Sequence, residues 1–254
     1  MNEIAHPALA PAMAARLREL TPARVALGRT GVSQQTRDLL AFQRCHALAR
    51  DAVHAQMEPA SLAAAIGDFT GGQVLQLHSA AIDRACYLKR PDLGRTLDEE
   101  SRKLLTARPG GAFDLALIVA DGLSALAVER HAPPLIAELL PLLESWRLAP
   151  VCVVEQGRVA IGDEIGQAMG AEIAVMLIGE RPGLSSPDSL GAYITWHPRP
   201  GRTDAERNCI SNIRAEGLSY LEAAGQLASC LAEARRRRLT GVALKMESHF
   251  LPKG

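Results

Sequence analysis

The stretch that decides the fold is EIAVMLIGERPG, residues 172–183. After Glu172 it runs through six apolar residues, which is typical of a strand buried on both faces of a parallel sheet. Two glycines, a proline and a Glu-Arg pair then end the run. In open α/β sheets, ligands bind outside the carboxyl ends of the strands. The stretch is therefore either a plain exit from a strand or the floor of a ligand site.

Two apolar runs upstream, residues 113–120 and 150–154, predict buried strands of the same kind. Loops rich in glycine and polar residues follow these strands, at residues 121–122, 155–159 and 179–183. Because the carboxyl ends of parallel strands meet at one edge of a sheet, we expect the three loops to lie together. Residues 192–196 predict a further strand, whereas residues 208–213 give no clear prediction.

Helical spacing of apolar residues alternates with these strands. It predicts helices over residues 163–169 and 220–238, and another over residues 133–146 that begins at two prolines. Glycines recur every four residues near the first of these helices, at Gly162, Gly166 and Gly170. This spacing lets a helix lie close against a sheet, because glycine has no side chain.

The pattern changes along the chain. Before residue 73 the helical signals are weak, and one short extended piece is predicted at residues 23–27. From about residue 80 onward, strands alternate with helices, which predicts a parallel, doubly wound sheet. We therefore expect an α/β protein with a small helical N-terminal domain over residues 1–75. A Rossmann-like domain, built on the doubly wound parallel sheet, is expected over residues 76–254.

The charge balance bears on the partner. Lys+Arg and Asp+Glu both number 28, and a neutral chain argues against nucleic acid because phosphate binding needs a basic surplus. The first 50 residues nevertheless carry a net charge of +4, with arginine as the only strongly basic residue type. Arginine makes bidentate contacts with carboxylates, so the set favours a protein interface, although any single one is more often solvated. The seven are Arg16, Arg18, Arg24, Arg29, Arg37, Arg44 and Arg50.

Cysteine usage and hydropathy bear on the compartment. The five cysteines form no CxxC pair and have no metal-ligand spacing, which indicates reduced thiols in an intracellular protein. No run reaches the roughly 18 apolar residues of a membrane span. The N-terminus lacks the basic start and apolar core of a secretory signal. We expect a cytoplasmic protein without a membrane partner.

Familiar catalytic patterns are missing from the sequence. There is no GxGxxG after a strand, no GxxxxGK[ST], no HExxH and no GxSxG. The seven histidines are scattered, and none has a second histidine at metal-ligand spacing. We therefore predict no catalytic residue and no metal site in this chain, whose crevice is better suited to holding a ligand than to transforming it alone.

Seven short motifs distributed over about residues 21–245 are weak individually but specific as a set. They are Thr21-Pro-Ala-Arg24 with Gly28-Arg29, Arg90-Pro-Asp-Leu-Gly-Arg95, Asp121-Gly-Leu-Ser124, Gly157-Arg-Val159, Gly179-Glu-Arg-Pro-Gly-Leu184, Cys209-Ile-Ser-Asn-Ile213 and Leu239-Thr-Gly-Val242. In this order and spacing they resemble the small (light) subunit of ethanolamine ammonia-lyase.

The resemblance implies a complex that converts ethanolamine to acetaldehyde and ammonia by radical chemistry. It implies that adenosylcobalamin, which supplies that chemistry, binds between the small subunit and a large barrel subunit. The large subunit is expected to carry the substrate site and most catalytic groups. The cobalamin signature Asp-x-His-x-x-Gly is absent, since His197 has Thr195 where the aspartate is needed. We therefore expect base-on binding without a protein ligand to cobalt, as the resemblance also implies.

Three residues carry over from the family as cofactor contacts: Val159, Glu180 and Cys209. Glu180 is expected to accept a hydrogen bond from a corrin amide. Taken alone, valine is more often a packing residue, cysteine a small buried hydrophobe and Glu180 a surface partner of Arg181. The resemblance favours a cofactor contact over these alternatives for all three residues. Asp121 and Ser124 are weaker candidates and stay outside the predicted cofactor set.

Two other functions remain open at this point. The chain is alternatively a stand-alone α/β module that binds cobalamin or a nucleotide without a lyase partner. A third reading is an adaptor whose Arg-rich region docks a partner, although the intact motifs around Val159, Glu180 and Cys209 count against it. For localisation, the resemblance implies the cytoplasm, with packing into a bacterial microcompartment, known in relatives, left open.

Overall fold

The computed structural model describes residues 11–21, 23–25, 27, 29–30, 32–108 and 110–245. The helices are α1 Pro11–Leu20, α2 Thr36–His54, α3 Pro59–Thr70, α4 Arg84–Lys89, α5 Glu99–Thr106, α6 Ala125–Leu139, α7 Ile161–Met169 and α8 Tyr220–Arg237. The strands are β1 Arg29–Thr30, β2 Ser33–Gln34, β3 Leu75–His78, β4 Phe113–Ala120, β5 Cys152–Glu155, β6 Ala171–Gly179, β7 Leu190–Trp196 and β8 Arg207–Ile213. Short 3-10 turns lie at Leu93–Arg95, Leu140–Leu143, Asp204–Glu206 and Gly241–Ala243.

The main sheet has six strands in the order β3-β5-β4-β6-β7-β8. The first four are parallel, but β7 and β8 are antiparallel to their neighbours. The prediction of a wholly parallel sheet is therefore wrong. The cause lies in the connection between β6 and β7, residues 180–189, which contains no helix. Parallel strands need a crossover of about a dozen residues or more, whereas a shorter loop returns the chain antiparallel.

Helices cover both faces of the sheet. Residues of β4 alternate between the faces, as expected for a strand of period two: Leu115, Leu117 and Val119 join a core with α3, α6 and α8. On the other face, Ala116, Ile118 and Ala120 join a core with α5 and α7. The α/β class is confirmed in a mixed sheet, while Rossmann-like connectivity stays a prediction.

The strongest apolar runs became strands, and the weaker ones were missed. The predicted strands at residues 113–120, 150–154, 172–178 and 192–196 correspond to β4, β5, β6 and β7. Sequence patterns did not reveal β3 and β8, the two edge strands, because polar residues interrupt their apolar positions. The extended piece at residues 23–27 is absent as a strand in the described residues 23–25 and 27.

The prolines of α6 do not start a helix, as the pattern predicted, but lie inside one that begins at Ala125. A proline in a helix interior costs about 3 kcal/mol. The helix continues because its apolar face is fully buried on both sides of Pro133 and Pro134, for example at Val128 and Ile136. Each such side chain contributes about 1.5–3 kcal/mol, so together they outweigh the cost.

Glycines let α7 lie close to the sheet, as the spacing predicted. A Cβ atom added at Gly162 would lie 3.2 Å from Met176 Cε, and one at Gly166 would lie 3.1 Å from Ala174 Cβ and 2.6 Å from Pro198 Cγ. Gly170 instead ends the helix, with φ +70°. The close approach holds the start of α7 against the carboxyl half of the sheet.

The helices before β3 differ in how they pack. In α3, Leu62, Ala63 and Ile66 are buried in the core with α6 and β5. In α2, by contrast, Ala52 is the buried residue, and most side chains are exposed. The domain boundary at residue 75 stays a prediction. Within the described residues, no helix combines the length and apolar character needed to cross a membrane.

Candidate functional site

The three glycine-containing loops meet at the carboxyl edge of the parallel strands, as predicted. The Gly157 N–H donates to Asp121 Oδ1 at 3.1 Å, and the Leu123 N–H donates to the Gly179 carbonyl at 2.9 Å. A Cβ atom on Gly179 would lie 2.5 Å from the Asp121 carbonyl oxygen and closer still to that of Ser124. The run in β6 therefore ends in glycine because the loop after β4 occupies the space of a side chain.

A buried polar cluster lies beneath these loops. Arg84 Nη1 donates to Asp121 Oδ2 at 3.2 Å and to the Gly122 carbonyl at 2.8 Å, and its Nε donates to the Val53 carbonyl at 2.7 Å. Burial raises the pKa of Asp121 to about 6, against the opposing charge of Arg84. Asp121 is 1% exposed, so it fixes the loops and does not reach a ligand on the surface.

Tyr87 of α4 and the backbone at Gly94 contact the turn that carries Val159. The Tyr87 hydroxyl donates to the Gly157 carbonyl at 3.0 Å, and the Arg158 guanidinium lies 4.2 Å from the centroid of the Tyr87 ring. The Arg158 N–H also donates to the Gly94 carbonyl at 2.7 Å. Val159 follows in the turn two residues before α7 begins, half-buried and packed against the α7-side core.

Glu180 is the most constrained of the three predicted residues. Its Oε2 accepts hydrogen bonds from the Ser189 hydroxyl and, at 3.2 Å, from the Asn212 N–H. Its own N–H donates to the Ser189 carbonyl at 2.9 Å. Within the described part of the chain, Oε1 accepts no hydrogen bond and no ion pair joins Glu180 to Arg181. The carboxylate is thus oriented by neutral donors through one oxygen.

A β-bulge supplies one of those donors. Leu190 pairs with Ile213 but Ala192 pairs with Ile210, so β8 contains one more residue than β7 between these pairs. Asn212 takes φ +60°, a left-handed conformation that asparagine tolerates better than most residues. Bulges re-aim groups near functional sites, and this one directs the Asn212 N–H to Glu180.

Cys209 is exposed on β8, directly opposite Tyr193 of β7. Although the residue is exposed, the surrounding protein partly desolvates the thiol and raises its pKa; a hydrogen bond from the Tyr193 hydroxyl acts to lower the pKa, and the charge of Glu180 adds to the rise. Cys209 and Glu180 are therefore electrostatic neighbours. Tyr193 packs against the same α7-side core as Val159, so all three predicted residues border one face of the sheet.

The opposite side of the 180–189 loop is tied to α6. The Ser124 hydroxyl donates to the Pro187 carbonyl at 3.1 Å, and Arg130 Nη1 donates to Asp188 Oδ2 at 2.9 Å. Ser124 also caps α6 and is fully buried, so it anchors the loop and does not reach a ligand. The loop that carries Glu180 is thus held at both ends.

Sequence reasoning missed the residues that orient the predicted set, namely Arg84, Ser189, Tyr193 and Asn212. The alternation in β7 could have indicated Tyr193, because Leu190, Ala192 and Ile194 face one core and leave Gly191 and Tyr193 for the other face. Among the described residues, no group of three or more His, Cys, Asp and Glu side chains is arranged to hold a metal ion.

Comparison with known proteins gives a consistent result. The model of the family "Ethanolamine ammonia-lyase light chain (EutC)" matches residues 11–245. An ethanolamine ammonia-lyase small subunit from Xanthomonas campestris is 58% identical over 239 residues, covering 92% of this chain and 88% of that protein. One from Ralstonia nicotianae is 59% identical over 235 residues, covering 90% and 86%. One from Pseudomonas syringae is 54% identical over 256 residues, covering 98% and 88%. The chain belongs to the ethanolamine ammonia-lyase light-chain family, the small subunits of a lyase complex.

Proposed function

We propose that this chain holds one side of adenosylcobalamin at its interface with the large subunit of ethanolamine ammonia-lyase. The observation that carries the proposal is the Glu180 carboxylate, which Ser189 and Asn212 fix through one oxygen while the other remains an acceptor. The chemistry that adenosylcobalamin supplies when bound is homolysis of its cobalt–carbon bond, which allows the complex to convert ethanolamine to acetaldehyde and ammonia.

The residues on this face suit a corrin in their chemistry. A corrin is large and planar, and its rim carries amide groups with N–H donors. Glu180 would accept from such an amide, as carboxylates make the stronger hydrogen bonds. Val159 and Cys209 would supply apolar contact, since both lie half-buried or exposed beside the same core. Each of these groups would bind and orient the cofactor, and none of them is assigned a proton transfer.

The position of His197 supports base-on binding. The His197 N–H donates to the Glu172 carbonyl at 2.7 Å, so this histidine lies at the amino end of β6. Glu180 lies at the other end of the same strand, roughly 25 Å away at about 3.3 Å per residue. A histidine there is too distant to replace the cofactor's own base. Nitrogen hyperfine coupling from a labelled protein imidazole to cobalt, measured by electron paramagnetic resonance, would contradict this.

We propose that the Arg-rich region before β3 docks the large subunit. Large apolar side chains are exposed along α2 beside these arginines, which is typical of an interaction surface; they are Leu39, Leu40, Phe42 and Leu48. The Arg37 side chain is 77% exposed. The side chain of Arg29 is outside the part of the molecule that the structure describes. Cytoplasmic localisation, and packing into a microcompartment, stay predictions from the resemblance.

Charge reversal tests the docking surface. We expect Arg37→Glu to weaken assembly with the large subunit, because it replaces a cation at the interface by an anion. Co-purification with a tagged large subunit measures this. Arg236→Glu is the matched control, since Arg236 is also exposed and also pairs with an acidic neighbour, but on α8. Equal recovery of both variants with the large subunit would contradict the proposal.

The cofactor site is tested by titrating cobalamin into the complex and following its visible absorption after gel filtration. We expect Glu180→Ala to raise the dissociation constant about tenfold to a hundredfold, as for one hydrogen bond to a charged group. Glu172→Gln is the control, since Glu172 lies at the amino end of β6, far from Glu180. Equal titration of both variants would remove Glu180 from the site.

The same experiment separates this proposal from a stand-alone module. We expect cobalamin to be retained only when this chain and the large subunit are mixed, because the proposed site is shared between them. Retention by the isolated chain would favour a self-sufficient cobalamin module. Failure of a verified complex to retain cobalamin would overturn the proposal.

A further inference from the structure

The family resemblance assigns no role to two residues of β7 that lie beside Glu180. Gly191 and Tyr193 lie two residues apart on β7, on the face that carries the α7-side core. A Cβ atom added at Gly191 would lie 3.0 Å from Glu180 Oε1 and 3.2 Å from Tyr193 Cε2. Glu180 and Tyr193 therefore meet over the space that the glycine leaves free.

Tyr193 also reaches the third member of the predicted set. It pairs with Cys209 across the β7–β8 ladder, so the two side chains are direct cross-strand neighbours on the same face of the sheet. Burial raises the pKa of this hydroxyl, and the neighbouring Cys209 and Glu180 raise it further. The hydroxyl thus stays protonated at neutral pH and remains a donor.

We propose that Tyr193 is a further cofactor-facing residue, whose ring seats the apolar edge of the corrin and whose hydroxyl positions the Cys209 thiol. This rests on the proposed cobalamin site. The ring is half-buried, with one side against the α7-side core, and aromatic rings provide large rigid contact areas at low entropic cost. Tyr193 connects Glu180, in the loop after β6, and Cys209, on β8, into one surface.

The positioning role has a readout that needs no cofactor. The rate at which iodoacetamide alkylates Cys209 is measured against pH by mass spectrometry of the Cys209 peptide. We expect Tyr193→Phe to slow alkylation at fixed pH about twofold to tenfold and to move the profile to higher pH, because the thiolate loses one hydrogen-bond donor. Tyr220→Phe is the control, since Tyr220 pairs with His131 on the other face of the sheet. An unchanged Cys209 profile in Tyr193→Phe would overturn the positioning role.

The contact role is measured in the complex with the large subunit, using hydroxocobalamin as the probe. We expect Tyr193→Leu, which removes the ring but keeps an apolar side chain in the strand, to raise the dissociation constant at least threefold. Tyr220→Phe should titrate as the unmodified complex does. Bound hydroxocobalamin should also protect Cys209 from alkylation relative to the complex without it. If Tyr193→Leu does not fold, Tyr193→Met takes its place, since it also removes the ring and keeps an apolar side chain, and the same rise in the dissociation constant is expected.

The outcomes distinguish the two proposals. If Cys209 is protected and Glu180→Ala weakens binding, but the Tyr193 variants titrate normally, the contact role fails while the proposed site stands. If the complex binds hydroxocobalamin without protecting Cys209 and without dependence on Glu180, both proposals fail. Weaker binding in Tyr193→Leu together with protection of Cys209 supports the contact.

Discussion

Two carboxylates on the α7 side of the sheet are held in contrasting ways. Asp163 is saturated by one cation: Arg207 Nη1 donates to Oδ1 at 2.7 Å and Nη2 donates to Oδ2 at 2.6 Å, with both side chains 2% exposed. Glu180 accepts only neutral donors within the described chain, and only through Oε2. The first carboxylate is buried against its arginine and out of reach of a ligand, whereas the second has no cationic partner within the described residues and keeps an acceptor oxygen.

Asp114, at the start of β4, follows the pattern of Asp163. Burial acts to raise its pKa, but hydrogen bonds from Arg147 and the charge of Arg235 outweigh burial and leave the pKa lowered. The two arginine-bound aspartates connect β4 and α7 to distant parts of the chain. The comparison therefore separates two carboxylates that hold the fold from Glu180, for which we propose a role in holding a ligand.

The largest effect is expected at the saturated pair. Asp163→Asn leaves the buried Arg207 guanidinium without its counter-charge, and breaking a buried pair in this way costs about 3–5 kcal/mol. A urea titration followed by circular dichroism measures the free energy of unfolding. Asp204→Asn is the control, because Asp204 lies 3.6 Å from Arg207 but is fully exposed. A loss as small as that of the control would mean that Asp163 is not the main partner of Arg207.

The second effect compares Gly179, the last residue of β6, with Gly183 in the loop that follows. Gly179→Ala forces a Cβ atom into the carbonyls of the 121–124 loop, and overpacking of this kind costs about 1–3 kcal/mol. Gly183→Ala should cost less, because the nearest atom to its added Cβ is the hydroxyl oxygen of Ser186, at 3.1 Å. Thermal unfolding of both variants measures the difference. Equal melting temperatures for the two variants would show that the 121–124 loop moves away from residue 179 at little cost.

The sequence predicted the central strands of the sheet better than its edge and its reversal. Three apolar runs predicted β6, its sheet neighbour β4 and the next strand β5, because buried parallel strands carry long apolar runs. The edge strand β8 was not predicted, because polar residues such as Ser211 and Asn212 interrupt its apolar positions. The reversal of β7 was not predicted either, although the short helix-free loop 180–189 contains the information.

The candidate site divides in the same way. Motif resemblance named Val159, Glu180 and Cys209, and the structure places all three on one face of the sheet. Ser189 and Asn212 could not be named from the sequence, since their contacts depend on the antiparallel return of β7 and on a bulge in β8. Arg84 was hidden for a similar reason, because its partners lie more than 30 residues away.

The smallest effect sharpens the contrast between the two carboxylates. Ser189→Ala removes one of the two neutral donors to Glu180 Oε2 but leaves the Asn212 N–H in place. We expect the dissociation constant for cobalamin in the complex to rise about twofold to tenfold, less than in Glu180→Ala, because the carboxylate itself stays in place and one of its two orienting donors remains. The control is Ser186→Ala in the same loop. If Ser189→Ala binds cobalamin as tightly as Ser186→Ala, the hydrogen bond from Ser189 does not contribute to binding. Orientation of the Glu180 carboxylate by neutral donors would then not explain its role. If Ser189→Ala binds as weakly as Glu180→Ala, the carboxylate acts only in the orientation that Ser189 imposes.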